Sequence, residues 1–184
     1  VPVSIDPYSA TVHRAWAADL DASTLYAMLK LRVDVFVVEQ KCPYPELDGR
    51  DLEPRARHYW LGGSGNPEPV LGCIRLLKEP GGHYRIGRLC TAPSVRGHAL
   101  GRRLMDAALT EVGDGECVLN AQSHLVSFYQ GYGFGSEGMP FDEDGIEHVR
   151  MRRVRCGPKT RLSGSSIDTE DPLVGVEHRY RVVS

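Results

Sequence analysis

The chain has 184 residues, 41% hydrophobic and 25% charged, which suits one soluble domain with a proper core. Its net charge of −2 argues against a general nucleic-acid or membrane-surface binder, and no apolar run approaches membrane-spanning length. The cysteines Cys42, Cys73, Cys90, Cys117 and Cys156 are odd in number and far apart, which speaks against zinc pairs and redox motifs. Cys73, Cys90 and Cys117 sit in apolar, strand-like runs and read as buried, reduced thiols of a cytoplasmic protein.

Residues 1–10 read as a loose leader, and no basic region followed by an apolar one marks a secretory signal. Thr11 to Leu20 fits a first strand. Asp21 or Ser23 can cap the helix whose face carries Leu25, Met28, Leu29, Arg32 and Phe36, running to about Val37. Pro43 and Pro45 then force an irregular loop that carries Glu39, Glu46, Asp48, Asp51 and Tyr44. A loop so rich in charge is expected to be largely solvated surface. Arg57–Gly62, Val70–Leu77 and Tyr84–Thr91 form an antiparallel meander with turns at residues 63–67 and 79–82. A helix beyond Arg96 carries Leu100, Leu104, Ala107, Ala108 and Val112 on one face and leads to the apolar run Cys117–Ala121. Such a strand–helix–strand unit implies a parallel pair with a right-handed crossover. Ser123 to Tyr132 reads as a short helix stopped by Gly131 and Gly133, and Glu137 to Val154 as a hairpin turning at residues 142–145. The domain is expected to span 11–155. A Gly/Ser/Pro linker then precedes alternating Val174, Val176, His178, Tyr180 and Val182. Residues 156–184 are therefore either a disordered tail or an added edge strand, on this subunit or on a neighbour in a homodimer.

The stretch between the third strand and its helix carries the chemistry. Arg96-Gly97-His98-Ala99-Leu100-Gly101-Arg102-Arg103 places glycines and guanidiniums at a helix start, where free N–H groups and the dipole favour an anion. Neither G-x-x-x-x-G-K-[ST] nor a G-x-G-x-x-G directly after the strand is present, so the usual nucleotide loops are excluded. No histidine pair has the spacing of a metal motif, and no metal is expected.

The segment Arg96–Gly101 resembles the R-x-x-G-x-G/A loop of the GCN5-related N-acetyltransferases (GNAT), with Ala99 where the pattern has its middle glycine, a change that suits a helical residue. Phe128-Tyr129-Gln130-Gly131-Tyr132-Gly133-Phe134 is similar to the family's closing signature. Leu31–Gln40, Cys42-Pro43-Tyr44, Glu46-Leu47-Asp48, Ala121–Leu125 and Glu143-Asp144-Gly145-Ile146-x-His148 resemble the ElaA-like branch, with Glu147 in place of its usual proline. The resemblance covers residues 11–155. It implies an α/β (α+β) GNAT fold, a mixed, mostly antiparallel, splayed sheet flanked by helices, with coenzyme A entering between two central parallel strands. It implies that Leu89, Cys90 and Thr91 offer backbone groups to the pantetheine. It also implies that Arg96, Gly97, His98, Ala99, Leu100, Gly101 and Arg102 hold the pyrophosphate, that Asn120 meets the pantetheine arm, and that Tyr129 faces the thioester sulfur.

The implied activity is N-acetyl transfer from acetyl-CoA to a primary amine, on a small molecule or a protein lysine, directly within a ternary complex rather than through Cys90. An amine of pKa about 10.4 is neutral about once in 10³ at pH 7, a deficit of roughly 4–5 kcal/mol that a base offsets. Glu39 is the first choice for that base, with Tyr129 as acid. Phe36, Glu39, Tyr44, His58 and His148 are expected on the acceptor side, and the acidic residues there suit a cationic amine. The alternatives are a non-catalytic acyl-CoA-binding module or sensor, and a protein-interaction domain using the tail and the 41–51 loop.

Overall fold

Period-two alternation sorts strand residues onto two faces of a sheet, and each face needs its own cover. A computed structural model describes residues 7–62 and 69–154. The seven strands are β1 (Thr11–Trp16), β2 (Arg57–Gly62), β3 (Val70–Lys78), β4 (Tyr84–Thr91), β5 (Cys117–Gln122), β6 (Gly135–Glu143) and β7 (Ile146–Arg153). They lie in the order β1-β2-β3-β4-β5-β7-β6, and every neighbouring pair is antiparallel except β4 and β5. The mixed sheet expected from the sequence is therefore present, with its one parallel pair where the strand–helix–strand unit required it.

One face packs against α2 (Leu100–Val112). Leu104, Met105 and Ala108 of that helix bury against Leu76, Ile86, Leu89 and Leu119, and α3 (Val126–Gln130) adds Phe128 and Tyr129 to the same core. The other face meets α1 (Ala22–Arg32), whose Met28 and Leu31 pack with Val35, Phe36, Cys73 and Cys90. Asp21 caps α1 by accepting from the Ser23 and Thr24 N–H groups, as the sequence predicts. Beyond Arg32 the helix widens into a π-helix over Val33–Glu39, marked by the Gln40 N–H bonding to the Val35 carbonyl at 3.2 Å. Gly72 lets β3 approach the end of β4, because a Cβ there would lie 3.0 Å from the Cys90 carbonyl oxygen and 3.2 Å from Leu104.

Several expectations change. The first strand stops at Trp16, where its partner β2 begins, and Ala17–Asp19 form a 3-10 turn with Ala17 buried beside Ala56. The helix expected over Ser123–Tyr132 is a 3-10 turn, Ser123–Leu125, followed by only five α-helical residues. The 41–51 loop is not mere solvated surface, since Glu46 and Asp51 are buried. Ala99 is not helical: it has φ +54°, left-handed, directly before α2, which is the conformation a glycine takes at no steric cost. Pro7–Ser9 of the expected leader form a 3-10 turn. The rest of the leader, the turn at 63–67 and the tail from 156 lie outside the described residues.

Candidate active site

The parallel contact between β4 and β5 is short: Tyr84 pairs with Cys117 and Arg85 with Val118, and there the pairing ends. Beyond it β4 carries a bulge. Its register against β3 shifts by one residue between Arg75↔Gly87 and Cys73↔Cys90, and Arg88 adopts φ +59°. A bulge bends its strand and raises local twist. The β5-facing backbone of Leu89, Cys90 and Thr91 is thus left without a strand partner on β5.

The loop of residues 92–99 follows this open end. Gly97 has φ +80°, Ala99 is left-handed, and the His98 Nδ1 lies 2.8 Å from the Arg96 carbonyl. The first intrahelical bond of α2 runs from the Arg103 N–H to the Ala99 carbonyl, so the N–H groups before it face the loop. Arg102 lies over the Phe128 ring at 5.8 Å, tying the loop to α3. Arg96 reaches Glu39 with both terminal nitrogens, at 3.3 and 3.2 Å. Sequence reasoning placed these two residues in separate roles; the structure pairs them.

Tyr129, on the same side, is fully buried, and its hydroxyl meets no hydrogen-bond partner among the described residues. Burial raises its pKa well above that of a free phenol, so it stays protonated. A buried hydroxyl without a partner fits a site that receives a polar group from outside the chain.

On the opposite face of the sheet lies a cavity of about 440 Å³. Tyr44 and His148 line it, and so does Asn120, which the strand alternation turns away from α2. The His148 Nδ1 lies 2.9 Å from the Ile146 carbonyl, which can only accept, so Nδ1 carries a hydrogen and in the neutral ring the lone pair is on Nε2. That Nε2 is buried and has no hydrogen-bond partner among the described residues. Glu143 stands 3.8 Å from Nδ1 and within 3.5 Å of the Asn120 amide. Phe36 and His58 do not line the cavity. Phe36 is core beside Cys73 and Cys90, while His58 donates through Nε2 to the Asp51 carbonyl at 2.8 Å, and burial lowers its pKa. Glu39 also lies outside the cavity lining.

Sequence reasoning missed the arginines. Arg32, Arg75 and Arg88 form a network with Glu46, Asp48 and Asp51, of which Asp48, Arg75 and Arg88 also line the cavity. Arg32 meets Asp51 at 2.6 Å and also holds Glu46, and Arg75 meets Asp48 at 2.6 Å and Asp51 at 2.9 Å. Burial alone would raise the Asp48 and Asp51 pKa values, but the guanidiniums overcome it and hold both carboxyls low. The loop is stapled by charge to the two central strands. The available signal was an arginine in the middle of each apolar strand, Arg75 between Ile74 and Leu76 and Arg88 between Gly87 and Leu89.

Comparison with known proteins places this geometry. Residues 56–155 match the model of the acetyltransferase (GNAT) domain. The UPF0039 protein Rv2851c of Mycobacterium tuberculosis is 50% identical over 154 residues, 82% of this chain and 97% of that protein. Protein ElaA of Escherichia coli is 40% identical over 145 residues, 74% of this chain and 91% of ElaA. Among solved structures, an acyl-CoA N-acyltransferase from Pseudomonas aeruginosa superposes with a TM-score of 0.73 at 39% identity, covering 79% of this chain and all of that one. The crystal structure of Escherichia coli ElaA gives a TM-score of 0.70 at 35% identity, over 78% of this chain and 99% of the other.

Proposed function

The chain belongs to the GCN5-related N-acetyltransferase family, in its ElaA-like branch, and from that premise we propose that it transfers an acetyl group from acetyl-CoA to a primary amine within a ternary complex. The observation that carries this reading is the parting of β4 from β5 after two residue pairs, which leaves the β5-facing side of β4 without a strand partner between a helix N-terminus and a polar cavity. Acetyl-CoA, when bound, supplies a thioester-activated acyl group.

The chain's own groups divide the remaining work. Arg96 and the loop 97–101, with the first N–H groups of α2, hold the pyrophosphate. The backbone of Leu89–Thr91, which has no strand partner on β5, offers N–H groups to the donor arm and to the carbonyl oxygen on which charge develops. Tyr129 Oη returns a proton to the departing sulfur; its unpartnered hydroxyl needs no bond broken to do so. We assign proton removal from the acceptor ammonium to His148 Nε2, whose tautomer is fixed by the Ile146 carbonyl. Glu39, first choice from the sequence, has its carboxylate on Arg96. Glu39→Gln removes the carboxylate charge from that guanidinium and is expected to tighten donor binding, whereas His148→Gln is expected to lower kcat by about 10²–10⁴.

The test incubates the protein with acetyl-CoA and a panel of primary amines, reading free thiol and the mass of the acylated amine. Thiol release matched by amide product supports the enzyme. Tight acetyl-CoA binding with no acylated amine across the panel supports the non-catalytic acyl-CoA-binding module instead.

A further inference from the structure

Of the charged residues that line the acceptor cavity, Asp48, Arg75 and Arg88 are paired with one another, and two further, separated groups offer different chemistry. At one end stand His148, with its unpartnered Nε2, and the hairpin-turn carboxylates Glu143 and Asp144. Neither carboxylate is paired with an arginine among the described residues, and Cys42 Sγ lies 3.0 Å from the Asp144 carbonyl, which fastens the turn to the 41–51 loop. These groups accept hydrogen bonds and carry negative charge, so they suit an ammonium.

At the other end stand Arg85, Arg50 and Glu79. Glu79 is fully used: it accepts from Arg50 Nη1 and Nη2 at 3.1 and 3.0 Å and from Arg85 Nε at 2.6 Å. Arg50 is also spent on Glu53. Arg85 is not. Glu79 is the side-chain partner of its Nε, and its two terminal nitrogens bond to no described residue. The unspent polar capacity at this end is therefore a forked pair of N–H donors, whose natural complement is a carboxylate.

Register fixes the spacing. Arg85 lies opposite Val118, and His148 opposite Gln122, four residues further along β5 and one strand beyond it. With about 3.3 Å per residue and about 4.8 Å per strand, the two Cα atoms are about 16 Å apart. The amine and the carboxylate of an occupant must then be separated by several bonds. The amine end is also the one beside the open end of β4 and β5.

We propose that the acceptor is an aminocarboxylate whose reacting amine and carboxylate lie at opposite ends of a short chain. The amine goes to His148, Glu143 and Asp144, and the carboxylate to the free fork of Arg85. This rests on the N-acyltransferase reading above and deepens it.

The test compares kcat/KM with acetyl-CoA for three acceptors of matched length: an ω-aminocarboxylate, an n-alkylamine and an α,ω-diamine. The wild-type protein is expected to favour the aminocarboxylate at least tenfold over both others. Arg85→Gln is expected to lower kcat/KM for the aminocarboxylate much more than for the alkylamine, cutting their ratio at least tenfold. An equal or greater preference for the alkylamine or diamine in the wild type overturns the proposal, as does a ratio unmoved by Arg85→Gln. The wild-type series stands by itself should that variant fold poorly. Binding of acetyl-CoA without turnover of any of the three, with no dependence of acceptor binding on the carboxylate, overturns it as well. Failure to bind acetyl-CoA at all, measured calorimetrically on the same preparation, marks failure of the enzyme reading instead.

Discussion

The Tyr129 hydroxyl is buried without a partner, an arrangement that costs a folded protein about 1–3 kcal/mol. A residue kept only for packing would do better as phenylalanine. Tyr129→Phe is accordingly expected to raise stability in a urea titration, while thiol release falls by about 10²–10⁴ if the phenol returns the proton. Reduced stability with undiminished turnover would show that the hydroxyl has a structural bond and takes no part in returning the proton. Ala99 gives a second test at this scale. Its left-handed conformation costs an L-residue about 1–2 kcal/mol, part of which glycine gives back as unfolded-chain entropy. Ala99→Gly is expected to raise stability by up to about 1 kcal/mol. A drop in the urea midpoint would contradict the strain. The places of Tyr129 and of the loop in the fold were legible because their motifs are local in sequence. The Glu39–Arg96 pair was not, because its partners are far apart in the chain and only the fold brings them together.

Among the elements, the 41–51 loop departs furthest from its sequence reading. Its prolines and carboxylates describe a surface loop, yet Glu46 and Asp51 are buried on Arg32, Arg75 and Arg88. Strand propensity says nothing about which strand arginines a distant loop will neutralise. Removing one partner strands the others' charge in a low-dielectric layer. Arg32→Met is expected to cost about 3–5 kcal/mol in a denaturant titration, although Arg32 does not line the 440 Å³ cavity. A loss below 1 kcal/mol would show that the network is solvated and does not staple the loop. The same arginines explain why the bulge escaped notice: Arg88 has the residue type of a surface strand, and its positive φ has no signature in the sequence.

For the whole molecule, the helices and most strands were legible from periodicity, and the parallel pair from the length of the crossover between β4 and β5. What periodicity could not show is where that pair parts, because splaying depends on a bulge and on α2 packing over Gly72. Charge pairing also sets the acid stability of the fold. Hydrogen bonds from Arg50, opposed by burial and reinforced by Arg85, lower the Glu79 pKa to about 2 from an ordinary value near 4.5. The unfolded chain therefore takes up its proton first. Stability from this group is complete above pH 4.5 and is lost as pH falls from there towards 2. Thermal melts across that range should show a shallower acid limb for Glu79→Gln than for the wild type, and parallel limbs would contradict the assignment.

The central claim is that the parted strands and the α2 N-terminus receive an acyl-CoA. Calorimetric titration of acetyl-CoA into the wild-type protein and into Arg96→Glu tests it most directly. Saturable 1:1 binding, weakened at least tenfold in the variant, is the predicted result. No binding by the wild type, or equal affinity for both proteins, would contradict the account.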